Sequence, residues 1–174
     1  MKQNKFGYGV GIAGVGKYLP EDIISNRQLE KSSGIKASDI EAKTGIRERR
    51  VVKDGQTASE MSAIAAKRAL EMAGVSAEQL SLVVTCTFTG DYVYPAVSCK
   101  IAEIIGAKNA GAFDLLANCT GFQVGMGVVS DRMLVDPSCE YALLLGTALQ
   151  SRFINYKDAA SSIYFGDGVG AAVL

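Results

Sequence analysis

Between residues 82 and 146 the apolar runs of this chain alternate in length and pattern, and that alternation restricts the possible folds more than any other feature. Leu82-Val83-Val84-Thr85-Cys86-Thr87 is short and rich in β-branched residues, as a strand covered on both faces would be. Residues 96–106 have the length of a small helix. Residues 110–116 read as a second buried strand, and residues 119–134 as a helix that must stop before Pro137. Tyr141–Gly146 reads as a third strand. Strand–helix–strand–helix–strand implies right-handed crossovers and parallel neighbours. The expected class is therefore α/β, with a mixed, mostly parallel sheet and helices on both faces.

Composition fits such a layer structure. The chain has 174 residues, 48% of them hydrophobic, enough to bury a core in one globular domain. Its formal net charge is zero, which argues against a nucleic-acid binder needing a basic face. Arg47, Arg49 and Arg50 flank Glu48 and read as a solvated strand edge. No run reaches about 18 apolar residues, and no signal-peptide pattern is visible, so no membrane partner and a cytoplasmic location are expected. The four cysteines, Cys86, Cys99, Cys119 and Cys139, have no C-x-x-C spacing. They read as reduced thiols, three of them packed as small hydrophobes. With no histidine in the sequence, neither a zinc site nor an imidazole base is expected from this chain.

The flanking segments carry mostly structural signals. Residues 8–16, YGVGIAGVG, read as a glycine-rich buried strand. Gly9, Gly11 and Gly14 give G-x-G-x-x-G spacing, but Pro20 follows where a dinucleotide fold opens a helix, so no such cofactor is expected. Ser25 to Gln28 has capping-box spacing and Gly34 a helix-ending place; Ser38 to Glu41 repeats the signal before Gly45. Thr57 to Glu60 is the strongest instance. It opens a helix over 58–73 with Met61, Ile64, Ala65, Ala69 and Met72 on one face, closed by Gly74. Gly166-Asp167-Gly168 reads as a tight positive-φ turn between two strands. The final apolar run reaches Leu174 without a polar tail, which suggests that the chain continues or has been cut.

Cys119 lies where the second strand gives way to a helix. The N–H groups of a helix's first turn are unpaired and stabilise a nearby thiolate. Gly121 allows close approach, and Gly125 and Gly127 suggest a helix packed deep against the sheet, at about 1 kcal/mol each in helix propensity. On these grounds alone a structural thiol and a nucleophile both remain open.

The order of segments resembles the N-terminal half of a β-ketoacyl-acyl carrier protein synthase III, a condensing enzyme of the thiolase superfamily. The matching pieces are GVGKYLP (14–20), the Asn26 region, KTGIRERR (43–50), ALEMAG (69–74), LVVTCTFTGDYVYPAVSCKIAEIIG (82–106), AFDLLANCTGF (112–122), YALLLGTA (141–148) and YFGDGVGAAVL (164–174). The resemblance implies a thiolase-like N-terminal half over residues 1–174, with the C-terminal half absent from this chain. It implies Cys119 as the nucleophile, taking an acyl group from a thioester donor. A malonyl thioester on acyl carrier protein would then lose CO₂ and condense with that acyl group. The Cys119 N–H is expected to serve the oxyanion site. Metal and nicotinamide are not implied; the substrates are acyl thioesters linked to coenzyme A or to acyl carrier protein. The loop Gly90–Pro95 resembles one that crosses a homodimer interface, with Tyr94 at the position of the ring near the partner's acyl pocket, either as a pocket residue or as interface packing.

Three departures matter. The family's histidine and asparagine come from the C-terminal half, and Asn118 does not match that asparagine but reads as a turn residue. This chain by itself is thus expected to be inactive in condensation. The adenine clamp of tryptophan and arginine is replaced by Asp39 and Ala159, and Lys43 stands where an arginine is common. The donor is then something other than a simple acyl-CoA, or is held differently. Two alternatives follow: an acyltransferase of secondary metabolism using Cys119, and a non-catalytic subunit of a heterodimeric synthase.

Overall fold

A computed structural model describes residues 9–174. The described residues form two compact units: one built from 9–18, 57–147 and 169–174, the other from 19–56 and 148–168.

The first unit contains a five-stranded sheet. Its strands are β1 (Gly14–Tyr18), β4 (Leu80–Cys86), β5 (Gly111–Leu115), β6 (Tyr141–Leu149) and β7 (Asp167–Val173), in the order β1-β7-β6-β4-β5. β4 is flanked by parallel β5 (Leu82↔Gly111 to Cys86↔Leu115) and parallel β6 (Leu82↔Ala142 to Cys86↔Gly146). β7 is antiparallel to β1. Ala142 and Leu174 exchange both backbone hydrogen bonds, at 3.1 and 2.8 Å, which makes β7 antiparallel to β6 as well. The sheet is thus mixed and mostly parallel, as expected.

Side-chain alternation along the strands separates two faces. Val84 and Cys86 of β4 and Ala142 and Leu144 of β6 pack with Val129 and Met133 of α5 (Gly121–Val135). Thr85 points the other way, where it accepts from Ser98 of α4 (Val97–Ile105) at 2.8 Å. Thr147, also on that side, is 2.7 Å from Ser62 of α3 (Ala58–Ala73). Helices therefore cover both faces, and two buried hydroxyl pairs tie α3 and α4 to their strands.

α3 begins and ends where its caps predict, between Thr57 and Gly74. Its buried stripe differs from the expected one. Ala58, Met61, Ser62, Ala65, Ala66, Ala69 and Leu70 are buried, whereas Ile64 and Met72 are exposed. Small residues face β1 because the backbones nearly touch. A Cβ on Gly16 would lie 2.1 Å from the Ala65 carbonyl oxygen, and one on Gly14 2.4 Å from that of Ala69. That close approach is what the glycines of the N-terminal segment serve. The strand itself is 14–18, not 8–16; residues 9–13 are not a strand, and Tyr8 lies outside the described residues. β5 is also corrected: it lies at the edge of the sheet, with Gly111, Phe113 and Asp114 exposed, so it is not a buried strand. Cys99 is likewise exposed, leaving Cys86 and Cys139 as the buried thiols.

The second unit holds the hairpin of β2 (Asp22–Ser25) and β3 (Glu48–Val51), the helices α1 (Asn26–Ser33) and α2 (Ala37–Thr44), and a small core of Leu29, Ile40 and Ile163. Ser25 and Gln28 form the expected capping box of α1, and Gly34 closes it at φ 76°. α2 is capped differently: it starts at Ala37 after Lys36, so Ser38 lies inside the first turn, and Gly45 ends it. Arg49 is not on a solvated edge. It is buried, donating to the Ile24 and Ile163 carbonyls and to Asn26 Oδ1, because β3 turns alternate side chains inward. Gly166 and Gly168 do not take positive φ. Asp167 instead opens β7 and accepts from Val52 N (2.7 Å), Ser151 N (2.8 Å) and Ser151 Oγ.

Candidate active site

β4 and β5 end in register at Cys86 and Leu115, beside Gly146 of β6. In parallel sheets this is the end where ligands gather. From β5 the chain passes through Leu116 and Ala117 into a 3₁₀ turn, Asn118–Thr120, and then directly into α5. Asn118 is the one non-glycine residue with positive φ among those described, at 47°. Asparagine tolerates that conformation better than most residues, at a cost of roughly 1–2 kcal/mol. The turn is tied down at Ala117, whose carbonyl accepts from Thr120 N (3.2 Å) and Thr120 Oγ (2.8 Å). This sharp reversal leaves Cys119 exposed while Gly121, two residues on, is buried.

The electrostatics of the three helix starts in this unit differ. α3 receives Asp91, whose carboxylate oxygens accept from Ala58 N (2.5 Å) and Ser59 N (3.1 Å). α4 receives Asp114 from β5, accepting from Val97 N (2.7 Å) and Ser98 N (2.9 Å). α5 has no side-chain cap and no acidic residue in its first turn. Backbone carbonyls of the 3₁₀ turn meet the amides at its start, Gly121 N donating to Asn118 O, so no carboxylate offsets its positive end, and Cys119 stands beside it. The Cys119 N–H finds no acceptor among the described residues. Cys99 is exposed at a helix start too, but there Asp114 has already filled the position. Neither Asp91 nor Asp114 is recognisable as a cap in the sequence, because each reaches its helix from another segment.

The remaining thiols are inert by environment. Burial pushes the Cys86 thiol up to about 11, and burial also raises Cys139. Tyr94 is almost wholly exposed on the loop between β4 and α4, beside exposed Tyr92 and Val93. Asp39 lies in the first turn of α2 and Ala159 in the 150–166 segment of the second unit. Lys43 is in the last turn of α2. A hollow of about 720 Å³ lies elsewhere. It is lined by Leu80, Leu82, Gly111, Phe113, Val128 and Arg132, at the amino ends of β4 and β5. Among the described residues no cluster of three or more His, Cys, Asp or Glu could hold a metal, and no helix is long and apolar enough to cross a membrane.

Comparison with known proteins gives a consistent result. Residues 113–174 match the family model of 3-oxoacyl-[acyl-carrier-protein] synthase III. The β-ketoacyl-[acyl-carrier-protein] synthase III 1 of Bacillus cereus is 40% identical over 165 residues, which are 95% of this chain and 53% of that protein. The synthase III of Desulfitobacterium hafniense is 41% identical over 95% of this chain and 50% of its own length. Among solved structures, 3-oxoacyl-[acyl-carrier-protein] synthase III from Aquifex aeolicus superposes with a TM-score of 0.90 at 34% identity, covering 95% of this chain and 53% of that one. The priming β-ketosynthase of the R1128 polyketide pathway gives 0.90 at 37% identity, over 93% and 48%. The chain spans about half the length of the curated relatives it matches, and it is similar to their N-terminal half.

Proposed function

We propose that this chain is the N-terminal, nucleophile-bearing domain of a β-ketoacyl-acyl carrier protein synthase III-type enzyme. The observation that carries the reading is the uncapped start of α5 beside an exposed Cys119, in a unit whose other helix starts are filled by carboxylates. Cys119 attacks the carbonyl of an acyl thioester. The C–S bond to the carrier breaks, the carrier thiolate leaves, and an acyl-cysteine remains. The oxyanion formed on the way is met by the Cys119 N–H and the positive end of α5. The acyl group is then transferred to the carbanion left when a malonyl-type thioester on acyl carrier protein loses CO₂.

The second step needs groups that this chain does not carry, for it has no histidine. They come from a second α/β half. α5 supports that proposal: Val124, Val128 and Val135 are exposed on its outer side, next to Gln123, Asp131 and Arg132, and a second layer would cover those valines. The exposed Tyr92, Val93 and Tyr94 and the open edge of β5 support a homodimer, with Tyr94 facing the partner's pocket. Asp39 and Ala159, in place of an aromatic and a cationic clamp, favour a donor other than a simple acyl-CoA.

Incubation with acetyl-CoA and with a short acyl-acyl carrier protein, followed by peptide mass spectrometry, tests this. An acyl mass on the Cys119 peptide, lost in Cys119→Ser, is expected. Acylation of Cys99 to the same extent, or of neither thiol, refutes it.

A further inference from the structure

Cys86, at the carboxyl end of β4, is a buried thiol against the first turns of α5. It is 7% exposed, and α5 rests on it through two absent side chains. A Cβ on Gly121 would lie 3.2 Å from Cys86 Cβ. A Cβ on Gly125, one turn later, would lie 2.6 Å from Cys86 Sγ and 2.8 Å from Leu144 Cδ1. The approach at Gly125 is closer than real side chains come and that at Gly121 tighter than most, so the helix sits low on β4 against the Cys86 side chain. The glycines are spaced i, i+4, and both face the same strand end.

This contact bears on Cys119 because of how little chain lies between. β5 is locked to β4 by its register, and α5 begins only six residues after β5 ends. The turn at 118–120 spans the step between a fixed strand and a helix whose height Cys86 sets. Its one left-handed residue, Asn118, already occupies a sparsely populated conformation. We infer that Cys86 is a positioning residue for Cys119: its side chain acts as the stop that sets the height of α5 and so the geometry of the nucleophile's turn. This inference rests on the reading of Cys119 as the nucleophile. Cysteine suits the task, being small, apolar in effect and unreactive when buried.

A rescue experiment tests the inference in the full chain, read by iodoacetamide alkylation of Cys119 relative to Cys99 across pH 6–10. Gly125→Ala introduces the forbidden Cβ and is expected to slow Cys119 about tenfold and to shift its pH profile, since a displacement near 1 Å at a reacting group costs up to about a hundredfold. Cys86→Ala combined with Gly125→Ala removes the sulfur, and Leu144 Cδ1 can rotate away. The double variant is expected to recover folding by circular dichroism and the parent's Cys119 profile to within about threefold. A double variant no better than Gly125→Ala, whether unfolded or slow, overturns the inference. So does a Gly125→Ala chain that loses stability while keeping the parent's Cys119 profile, because Cys86 would then be packing alone. The parent's own Cys119-to-Cys99 ratio reports separately on the nucleophile reading.

Discussion

Thr120→Asp probes the electrostatic argument directly. It would place a carboxylate at the N-cap of α5, giving that helix the cap that Asp114 gives α4. Thr120 has helical φ/ψ, so the gain for the helix is the charge–dipole one of about 0.3–1 kcal/mol, which roughly offsets about 1 kcal/mol for the lost Thr120 Oγ to Ala117 bond. For Cys119 the effect has the opposite sign. The new charge neutralises the positive helix end and repels a thiolate from about 6 Å. Coulomb's law gives roughly 0.7 kcal/mol at a dielectric of 80 and roughly 2.8 kcal/mol at 20. That corresponds to a loss of thiolate of about threefold to a hundredfold. The assay is the pH-dependent rate of iodoacetamide alkylation, with Cys99 as internal reference. Thr120→Asp should slow Cys119 at neutral pH and move its profile upward, with stability roughly unchanged. Asp114→Asn is the reciprocal change: it relieves the start of α4 of its charge and should speed Cys99. If Cys119 reacts at the parent's rate in Thr120→Asp, the open helix start is irrelevant to its reactivity and the reasoning fails.

Two further outcomes follow from close packing and burial. Gly16→Ala should destabilise the chain by about 2–3 kcal/mol in urea unfolding, because its Cβ would lie 2.1 Å from the Ala65 carbonyl, which is helix backbone and cannot yield cheaply. Gly127→Ala, with nothing within 4 Å, should instead stabilise by about 0.5–1 kcal/mol; equal signs for the two would contradict the packing. The buried Cys86 thiol, raised to about 11, favours the neutral form in the folded state. An unfolded cysteine ionises near 8.5–9, so the folded state holds more protons between there and 11, and stability must fall as pH rises through that window. The difference between the parent and Cys86→Ala should change by at most about 3 kcal/mol between pH 8 and 11, with no change below pH 8; a flat difference over the whole range would show that the thiol is not shielded.

The helix over 58–73, the caps of α1 and α3 and the three parallel strands were legible in the sequence because they depend on local patterns. Thr57 and Glu60 satisfy amides within one turn, and the run 82–87 announces burial on both faces by its composition alone. The position of Cys119 at a strand-to-helix turn was legible for the same reason. What Cys119 can do was not. The uncapped state of α5 has meaning only beside Asp91 and Asp114, which fill the other helix starts from distant segments. The errors have the same origin. Ile64 and Met72 looked like core because they are apolar and correctly spaced, but the backbone contact of β1 with α3 selects small residues. Arg47, Arg49 and Arg50 looked alike, but strand alternation buries Arg49. Gly125 and Gly127 looked alike, but Gly125 faces Cys86 and Leu144 while Gly127 faces open space. Sequence by itself set which segments are helix or strand and where the thiol falls, since hydrogen bonding and periodicity within a few residues decide those. Which glycines bear a contact, which helix start lacks a carboxylate and how low α5 sits were decided only when segments far apart in the chain came together.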